Sequence, residues 1–386
     1  MIDPSPLLKQ LIGCRSVTPA EGGALGFIEG VLAAQDFQVE RLRFSEAGTA
    51  DVENLFARHG SGHPHFCFAG HTDVVPPGHE SSWSHPPFGG EEINGVIYGR
   101  GASDMKGSVA AFMAAAGDFI DARKTAFTGS ISLLLTGDEE GPAVNGTAKV
   151  LSWLKERNSL PDDCLVGEPT CTERLGDTIK IGRRGSVNVT VTVSGRQGHA
   201  AYPQIADNPI PKLVRLLDRL ASHGLDQGSE PFDPSHLAIT SVDVGNPASN
   251  IIPARAGARF NIRFNPLHSS ASLRQWIETE ALRVKADMGG EFEIAFSETA
   301  DAFLTKPGPF VEVVRKAVET VTGIKPVLSA SGGTSDARFI KNFCPVVEFG
   351  PRNATVHQVD ERIEVEELRV LKDIYRAVLD RYFGPA

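Results

Sequence analysis

The sequence is poor in cysteine, and its cysteines form no pattern that would build a disulfide framework or a cysteine-ligated metal site. No CxxC pair is present, and the cysteines are odd in number and widely spaced: Cys14, Cys67, Cys164, Cys171 and Cys344. Cys67 and Cys344 lie in apolar runs, so we expect buried thiols there. Sparse, scattered cysteines are typical of a reducing compartment, and we expect a cytoplasmic protein.

The sequence also lacks the features of membrane and secreted proteins. No apolar run approaches the roughly 20 residues that a transmembrane helix needs. The opening residues, Met-Ile-Asp-Pro-Ser-Pro, contain neither the basic nor the apolar region of a signal peptide. We therefore expect no membrane association and no export.

The charge balance and the missing motifs exclude further function classes. A formal net charge of −10 argues against nucleic-acid binding as the main task. The chain contains no HExxH, no GxSxG and no complete P-loop. Gly99-Arg100-Gly101 begins like a dinucleotide fingerprint, but Asp104 stands where the third glycine belongs, so nucleotide binding is not expected there.

The chain does contain short acidic and histidine-bearing segments, each of which lies next to glycine or at the end of an apolar run. Strands are predicted at 65–69, 131–135 and 164–166, and a helix at 107–122. The segments are Gly-His-Thr-Asp at 70–73, Gly-Ala-Ser-Asp-Met-Lys-Gly at 101–107, Gly-Asp-Glu-Glu-Gly at 137–141, Gly-Glu-Pro at 167–169 and Thr-Val-His at 355–357. This order predicts an α/β layer with ligands at the carboxyl ends of its strands.

These segments together offer a ligand set for two zinc-like ions: His71, Asp73, Asp104, Glu139, Glu140, Glu168 and His357. His71 and Asp73 are two residues apart, so they point to the same side of an extended chain. Asp104 has two oxygens, which suits a bridging ligand. Glu139 and Glu140 face different directions, so one can bind metal while the other acts as a base.

Each segment taken singly has a simpler interpretation. An acid beside glycine is usually a turn or a helix cap, and a Glu-Glu pair is usually solvated surface. Their joint occurrence at successive strand ends favours a metal site, and two metals with a bridging water hydrolyse amides. Two divalent cations, three carboxylates and a bridging hydroxide also sum to neutrality, which lowers the free energy of burying the site.

The residue pattern changes near residue 180, which indicates a second domain inserted into the first. Residues 186–194 and 256–264 alternate apolar and polar side chains as half-exposed antiparallel strands do. The α/β pattern resumes with a helix at 309–322, a strand at 345–349 and a final amphipathic helix. We predict a discontinuous metal-binding domain at 1–180 and 297–386, and an inserted domain at 181–296.

The segments 70–78, 99–107, 136–141 and 167–170 resemble peptidase family M20, a family of two-metal aminoacyl hydrolases, and the resemblance covers nearly the whole chain. It implies an α/β, mixed-sheet, exopeptidase-like catalytic domain with an inserted α+β dimerisation (lid) domain. It also implies two Zn²⁺ per subunit, which Co²⁺ or Mn²⁺ can replace.

The resemblance also implies a role for each residue of the ligand set. Asp104 bridges the two ions, and the peptide after it is cis. His71 and Glu168 complete the coordination of one ion, and Glu140 and His357 complete that of the other. Glu139 is the general base and later the acid, and Asp73 supports His71.

For activity, the resemblance implies hydrolysis of an N-succinyl amino acid, N-succinyl-LL-2,6-diaminopimelate, in lysine biosynthesis. The alternatives are N-acetylornithine deacetylation, a metallo-carboxypeptidase, and a non-catalytic relative that binds a peptide or amino acid. In a homodimer, His199 would reach the partner's active site and stabilise the oxyanion.

Substrate-binding residues carried over from the family, or chosen for guanidinium pairing with carboxylates, are Arg183, Arg184, Tyr202, Asn250, Arg263, Gly333, Thr334 and Asn353. Arg184 has a second interpretation, as a salt-bridge partner that stabilises the fold. The clustered histidines His59, His63 and His65 are interpreted as structural, and the acidic run 361–367 as a solvated face.

Overall fold

The computed structural model describes residues 1–123 and 127–384. Its helices are α1 Pro4–Gly13, α2 Ala24–Ala33, α3 Gly107–Arg123, α4 Thr147–Glu156, α5 Pro209–Ala221, α6 Ser270–Met288, α7 Pro309–Thr322, α8 Ala337–Ile340 and α9 Val365–Phe383, with single turns at Glu80–Ser82, Ala102–Lys106 and Pro203–Ile205. Among these described helices, none combines the length and the apolar character needed to cross a membrane.

The strands range from two to ten residues in length. They are β1 Gln38–Phe44, β2 Val52–Gly60, β3 His65–His71, β4 Glu92–Ile93, β5 Val96–Tyr98, β6 Ser130–Thr136, β7 Asp163–Val166, β8 Thr178–Lys180, β9 Gly182–Arg183, β10 Gly185–Ser194, β11 Gly198–His199, β12 His236–Asp243, β13 Ile251–Ile252, β14 Arg255–Phe264, β15 Glu291–Ala300, β16 Phe303–Leu304, β17 Val327–Ser329, β18 Val346–Glu348 and β19 Arg362–Glu364. The α/β fold class predicted from the sequence is confirmed.

Contacts along the chain group it into two compact units, each with its own hydrophobic cluster. Unit 1 comprises Met1–Ile181, Thr305–Ser329 and Ser335–Ala386, and unit 2 comprises Gly182–Leu304 and Ala330–Thr334. The domain bounds expected from the sequence, with their lid and dimerisation role, stay predictions.

Unit 1 is built on a mixed sheet of eight strands in the order β1-β2-β6-β3-β7-β18-β8-β17. Its centre is parallel, because β3 pairs in parallel with both β6 and β7, and β18 pairs in parallel with β7. Every residue of β3 and β6 is buried. The carboxyl ends of these strands therefore meet at one edge, where an α/β fold places its ligands.

Helix α3 lies in the core of unit 1, and its composition explains why. It is rich in alanine and glycine and is buried on nearly all faces. Phe112 of α3 stacks on Phe68 of β3, with ring centroids 4.3 Å apart, and Tyr375 of α9 meets Phe68 edge-on at 5.6 Å. The Tyr375 hydroxyl donates to the Phe349 carbonyl at 2.9 Å, so its polar end is satisfied in the core.

Unit 2 contains a four-stranded antiparallel sheet in the order β12-β14-β10-β15. The inward valines of β10 and the leucines of α5 form its core, as their apolar periodicity predicts. Pro209 begins α5, and the Asn208 side chain caps it by accepting from the Ile210 amide at 3.1 Å.

His65, at the amino end of β3, is a buried histidine far along the strand from the acidic segments. Its Nε2 lies 2.8 Å from Ser132 Oγ and the residue is completely buried. Burial, and then the charge of Arg58, lower the pKa of His65 from 6.5 to about 4, against the opposing charge of Asp162. His65 is therefore protonated only at a lower pH in the folded protein than in the unfolded chain.

We expect the metal-free protein to lose stability on acidification through His65. The contribution of neutral, buried His65 to the free energy of unfolding is fully present above pH 6.5. It is lost as the pH falls to about 4. A His65→Gln variant takes up no proton, so the pH-dependent loss of unfolding free energy should shrink by up to about 3 kcal/mol. Urea unfolding across this pH range measures it. The exposed His236→Gln is the control, and an unchanged slope in the His65 variant would contradict the prediction.

Candidate metal centre

The sheet brings the acidic segments of unit 1 to one place. His71 is the last residue of β3, Glu139 and Glu140 follow β6, and Glu168 follows β7. These three strands are adjacent and parallel, so their ends lie side by side. Asp104 lies in the turn before α3.

Asp104 lies between two histidines. Its Oδ1 lies 3.1 Å from His71 Nε2, and its Oδ2 lies 3.3 Å from His357 Nε2. Glu168 Oε1 is 3.9 Å from the same nitrogen of His71, and Glu140 Oε1 is 2.8 Å from that of His357. The arrangement has two halves that share one carboxylate.

Ligand atoms of these residues fall into groups compact enough to hold metal ions. Within 1–123 and 127–384, the groups whose atoms all lie within 4.8 Å of one another are His71–Asp104–Glu168, Asp104–Glu140–His357 and His71–Glu139–Glu140. Ligands of a tetrahedral zinc ion lie about 3.3 Å apart, given bond lengths of about 2.0–2.1 Å. The nitrogen–oxygen distances, from 2.8 to 3.9 Å, lie around that spacing, so the residues fit two ions after small side-chain adjustments.

The electrostatics of the cluster also favour cations. Burial lowers the pKa of His71, but the hydrogen bond and charge of Asp104 outweigh it and raise that pKa well above its usual value. Hydrogen bonds to Asp104 and Glu140 raise the pKa of His357 to about 10. Burial, and then the charge of Glu168, raise the pKa of Glu139. The carboxylates crowd negative charge that bound cations would neutralise.

Asp73 contacts both the histidine and the glutamate pair. His71 Nδ1 lies 2.9 Å from the main-chain oxygen of Asp73 and 3.6 Å from its carboxylate. The Asp73 carboxylate instead accepts from the amides of Glu139 at 3.3 Å and Glu140 at 3.0 Å. It therefore orients the 139–140 turn, a contact that the sequence could not reveal because its donors are main-chain atoms.

Two glycines let the Asp104 turn approach the strand ends. The peptide between Asp104 and Met105 is cis, as the family resemblance implies. A Cβ on Gly70 would lie 2.5 Å from Met105 Cε, and one on Gly167 would lie 2.7 Å from the same atom. Residues with a side chain at either position would push Met105 away.

In unit 2, Arg183 contacts the glycine-rich segment 330–334. Its Nη1 donates to the Gly333 carbonyl at 3.1 Å, and a Cβ on Gly332 would lie 3.0 Å from the same nitrogen. Thr334 follows in this segment. Arg183 is buried, so the segment and the guanidinium fix each other's position.

Arg184 and Arg263 form a second cationic feature of unit 2. Burial, and then the charge of Arg184, lower the pKa of Arg263. Two guanidiniums that repel each other in a half-buried setting favour an anionic ligand. Asn353 belongs to unit 1, where it is exposed and its amide donates to the Cys171 carbonyl at 2.9 Å.

His199, Tyr202 and Asn250 lie together in unit 2. The Ala200 amide donates to the Asn250 carbonyl at 2.8 Å, and the rings of His199 and Tyr202 are 5.6 Å apart. His199 is exposed, and its Nδ1 accepts from the Ala201 amide at 3.0 Å. The neutral ring therefore carries its proton on Nε2.

The interpretation of 361–367 as a solvated face is wrong for two glutamates. Glu361 and Glu367 are 0% and 9% exposed. Glu367 pairs with Arg352 at 2.7 Å, and Glu361 pairs with Arg100 at 2.8 Å. Nothing in the sequence distinguishes these acids from their solvated neighbours, because their cationic partners lie outside the run.

The chain is similar in sequence to known proteins. The family model described as peptidase family M20/M25/M40 matches residues 67–381. A succinyl-diaminopimelate desuccinylase of Parvibaculum lavamentivorans is 55% identical over 99% of this chain and 96% of its own. One of Rhodospirillum centenum is 56% identical over 100% of this chain and 98% of its own.

Solved structures share the fold. The crystal structure of aminopeptidase PepT from Bacillus cereus superposes with a TM-score of 0.81 at 20% identity, over 99% of this chain and 98% of that one. The family match spans most of the chain, and the relatives span nearly all of it. The chain therefore belongs to peptidase family M20.

Proposed function

We propose that this chain hydrolyses N-succinyl-LL-2,6-diaminopimelate to succinate and LL-2,6-diaminopimelate. The observation that carries the proposal is identity above one half, over essentially the full chain, to curated relatives named for that activity. The Asp104-centred cluster supports the chemistry, because amide hydrolysis needs an activated water and a proton donor for the leaving amine.

The proposed cofactor is a pair of Zn²⁺ ions, for which Co²⁺ or Mn²⁺ could substitute. His71 and Glu168 would hold one, Glu140 and His357 the other, and Asp104 both. When bound, the ions supply Lewis acidity and lower the pKa of water.

Glu139 is the proposed proton carrier. Its turn is held by Asp73, which accepts from the amides of Glu139 and Glu140. Its carboxylate would take a proton from the attacking water and return it to the amine as the carbon–nitrogen bond breaks. Asp73 would also support His71 through its main-chain oxygen.

The proposed substrate contacts are made by three groups of residues. Arg183, Arg184 and Arg263 would pair with carboxylates of the substrate. Gly333 and Thr334 would contact the succinyl end. Tyr202, Asn250 and Asn353 would supply further polar contacts.

The protein is proposed to act as a homodimer in the cytoplasm, with residues 181–296 as the dimerisation and lid domain. His199 would donate its Nε2–H to the oxyanion in the partner's active site. The exposure of His199 and its Nδ1 contact to Ala201 support this role, because they leave the opposite nitrogen as the donor.

The test is the initial rate of zinc-loaded protein on N-succinyl-LL-2,6-diaminopimelate against N-acetylornithine at equal concentration. We expect a preference of at least about 100-fold for the succinyl substrate, because the acetyl analogue lacks the carboxylate that the proposed arginines would bind. Preference for N-acetylornithine would overturn the substrate assignment but retain the two-metal chemistry. No turnover of either substrate with two ions bound would overturn the proposed function.

An Arg183→Met variant refines this test. Loss of a charge-assisted pair should lower kcat/KM for the succinyl substrate by about 10- to 100-fold. Arg255→Met removes an exposed arginine of unit 2 and is the matched control. Equal loss on both substrates would show that Arg183 does not recognise the succinyl carboxylate.

A further inference from the structure

We propose that Glu361, acting with Arg100, is a positioning residue. It fixes the relative positions of the segments that carry Asp104 and His357, so that both can bind the two metal ions. This inference rests on the proposed function in that it concerns the same metal centre. It assigns a task to a carboxylate that touches neither substrate nor metal.

Glu361 first fixes the turn that carries Asp104. One carboxylate oxygen accepts from the amides of Ser103 at 2.9 Å and Asp104 at 3.1 Å, and the other from the amide of Gly101 at 3.0 Å. The Glu361 main-chain oxygen accepts from the Gly99 amide at 2.8 Å. The carboxylate thus holds three main-chain donors, of Gly101, Ser103 and Asp104, around the proposed bridging ligand.

Arg100 extends the same anchor to His357. Its Nη1 donates to Glu361 at 2.8 Å and to the Gln358 carbonyl at 3.2 Å, and its Nη2 to the His357 carbonyl at 3.5 Å. Both side chains of the pair are buried. A single ion pair therefore touches both ligand-bearing segments, and Arg100 and His357 lie 257 residues apart in sequence.

The His357 segment requires such support. His357 has a φ of 61° and Asp360 a φ of 58°, in the left-handed region that residues with a Cβ occupy only under constraint. The His357 side chain is 46% exposed, so core packing supplies little of that constraint. The carbonyl contacts from Arg100 contribute to it, together with the Ser84 amide, which donates to Asp360 Oδ1 at 2.7 Å.

Charge rather than shape makes glutamate necessary at this position. A buried ion pair adds little net stability compared with apolar packing, so stability alone is a poor reason to keep one. Glutamate offers only acceptors, which all its partners here require. Glutamine has the same shape, but its NH₂ group would face an amide donor or Arg100.

The first test is titration of metal-free Glu361→Gln with Zn²⁺ alone, read by competition with a chelating dye. We expect one of the two ions to bind about 10- to 100-fold more weakly, as loss of a partner behind a ligand does. Hydrogen exchange of the 101–104 amides in the metal-free protein should also accelerate. Unchanged zinc affinity at both sites would overturn the proposal.

Glu367→Gln is the matched control. It neutralises another buried glutamate of the same run and breaks its pair with Arg352. We expect it to lower the melting temperature while both zinc affinities stay at the parent values. Equal weakening of zinc in both variants would assign the Glu361 effect to general destabilisation and overturn the proposal.

A second variant, Arg100→Lys, tests the proposal if the Glu361→Gln protein fails to fold. Arg100→Lys keeps the charge opposite Glu361 but lacks the fork that reaches the His357 and Gln358 carbonyls. It should also weaken one zinc ion, and normal binding of both would overturn the proposal. Because these tests read zinc binding, a parent protein that binds two ions but hydrolyses no succinyl substrate would remove only the proposed function.

Discussion

Replacing Glu139 with glutamine is expected to lower kcat by at least about 10²- to 10⁴-fold, the usual contribution of a general acid–base group. Glutamine preserves the size of the side chain and its main-chain bond to Asp73, but it accepts no proton. Zinc content should remain two ions per chain. Initial rates and metal analysis of the same preparation measure both quantities.

Glu140→Gln is the control, because it changes the next residue in the same turn. Glu140 lies 2.8 Å from His357 Nε2, so its loss should weaken zinc binding as well as turnover. The two neighbours should therefore differ in metal content. A Glu139→Gln protein with near-normal kcat, or with one ion lost, would show that the base is assigned to the wrong residue.

Replacing His199 with alanine is expected to lower kcat by about 10²- to 10³-fold, the usual effect of removing an oxyanion donor. KM for the succinyl substrate should change little, because the donor acts on charge that develops only in the transition state. Steady-state kinetics separate the two effects. A rise in KM at constant kcat would identify His199 as a substrate-binding residue instead.

Mixing two inactive variants tests whether His199 acts in the partner's site. In a mixed dimer of His199→Ala and Glu139→Gln chains, one site combines the native Glu139 of one chain with the native His199 of the other. Denaturing and refolding an equal mixture should restore roughly a quarter of the parent's sites. No restoration would contradict a donor supplied by the partner.

A mixture of Glu139→Gln and Glu140→Gln is the matched control. Both glutamates of a site come from one chain, where Asp73 accepts from both of their amides. No combination of these chains rebuilds a native site. Activity in this mixture would indicate contamination by the parent protein. The activity of the His199→Ala and Glu139→Gln mixture could then not be assigned to a shared site.

The secondary structure of unit 1 could be predicted because its elements carry strong local signals. The apolar run of β6 and the amphipathic pattern of α7 predict their elements within a residue or two of the observed ends. In unit 2, β12 has exposed side chains on both faces, so no alternation marks it. β15, in contrast, alternates apolar and polar residues through Phe292, Ile294 and Phe296, a pattern typical of a strand.

Most of the ligand set could be predicted from the sequence because His71, Glu139, Glu140 and Glu168 follow apolar strands and Asp104 precedes a helix. Contacts made through main-chain atoms could not be predicted from the sequence. Asp73 meets His71 chiefly through its carbonyl oxygen, and Glu361 holds amides at 101–104. Main-chain atoms are the same for every residue type, so these partners follow from the folded path alone.

The order of segments along unit 1 has a consequence for how the chain is made. Asp104 leaves the ribosome 257 residues before Glu361, a delay of roughly 13 to 50 seconds at about 5–20 residues per second. During that time α3, apolar on nearly every face, has no α9 to cover it. Unit 2, nearly all one continuous stretch, can fold meanwhile. The packing of α3 against α9 therefore forms only after nearly the whole chain has been synthesised.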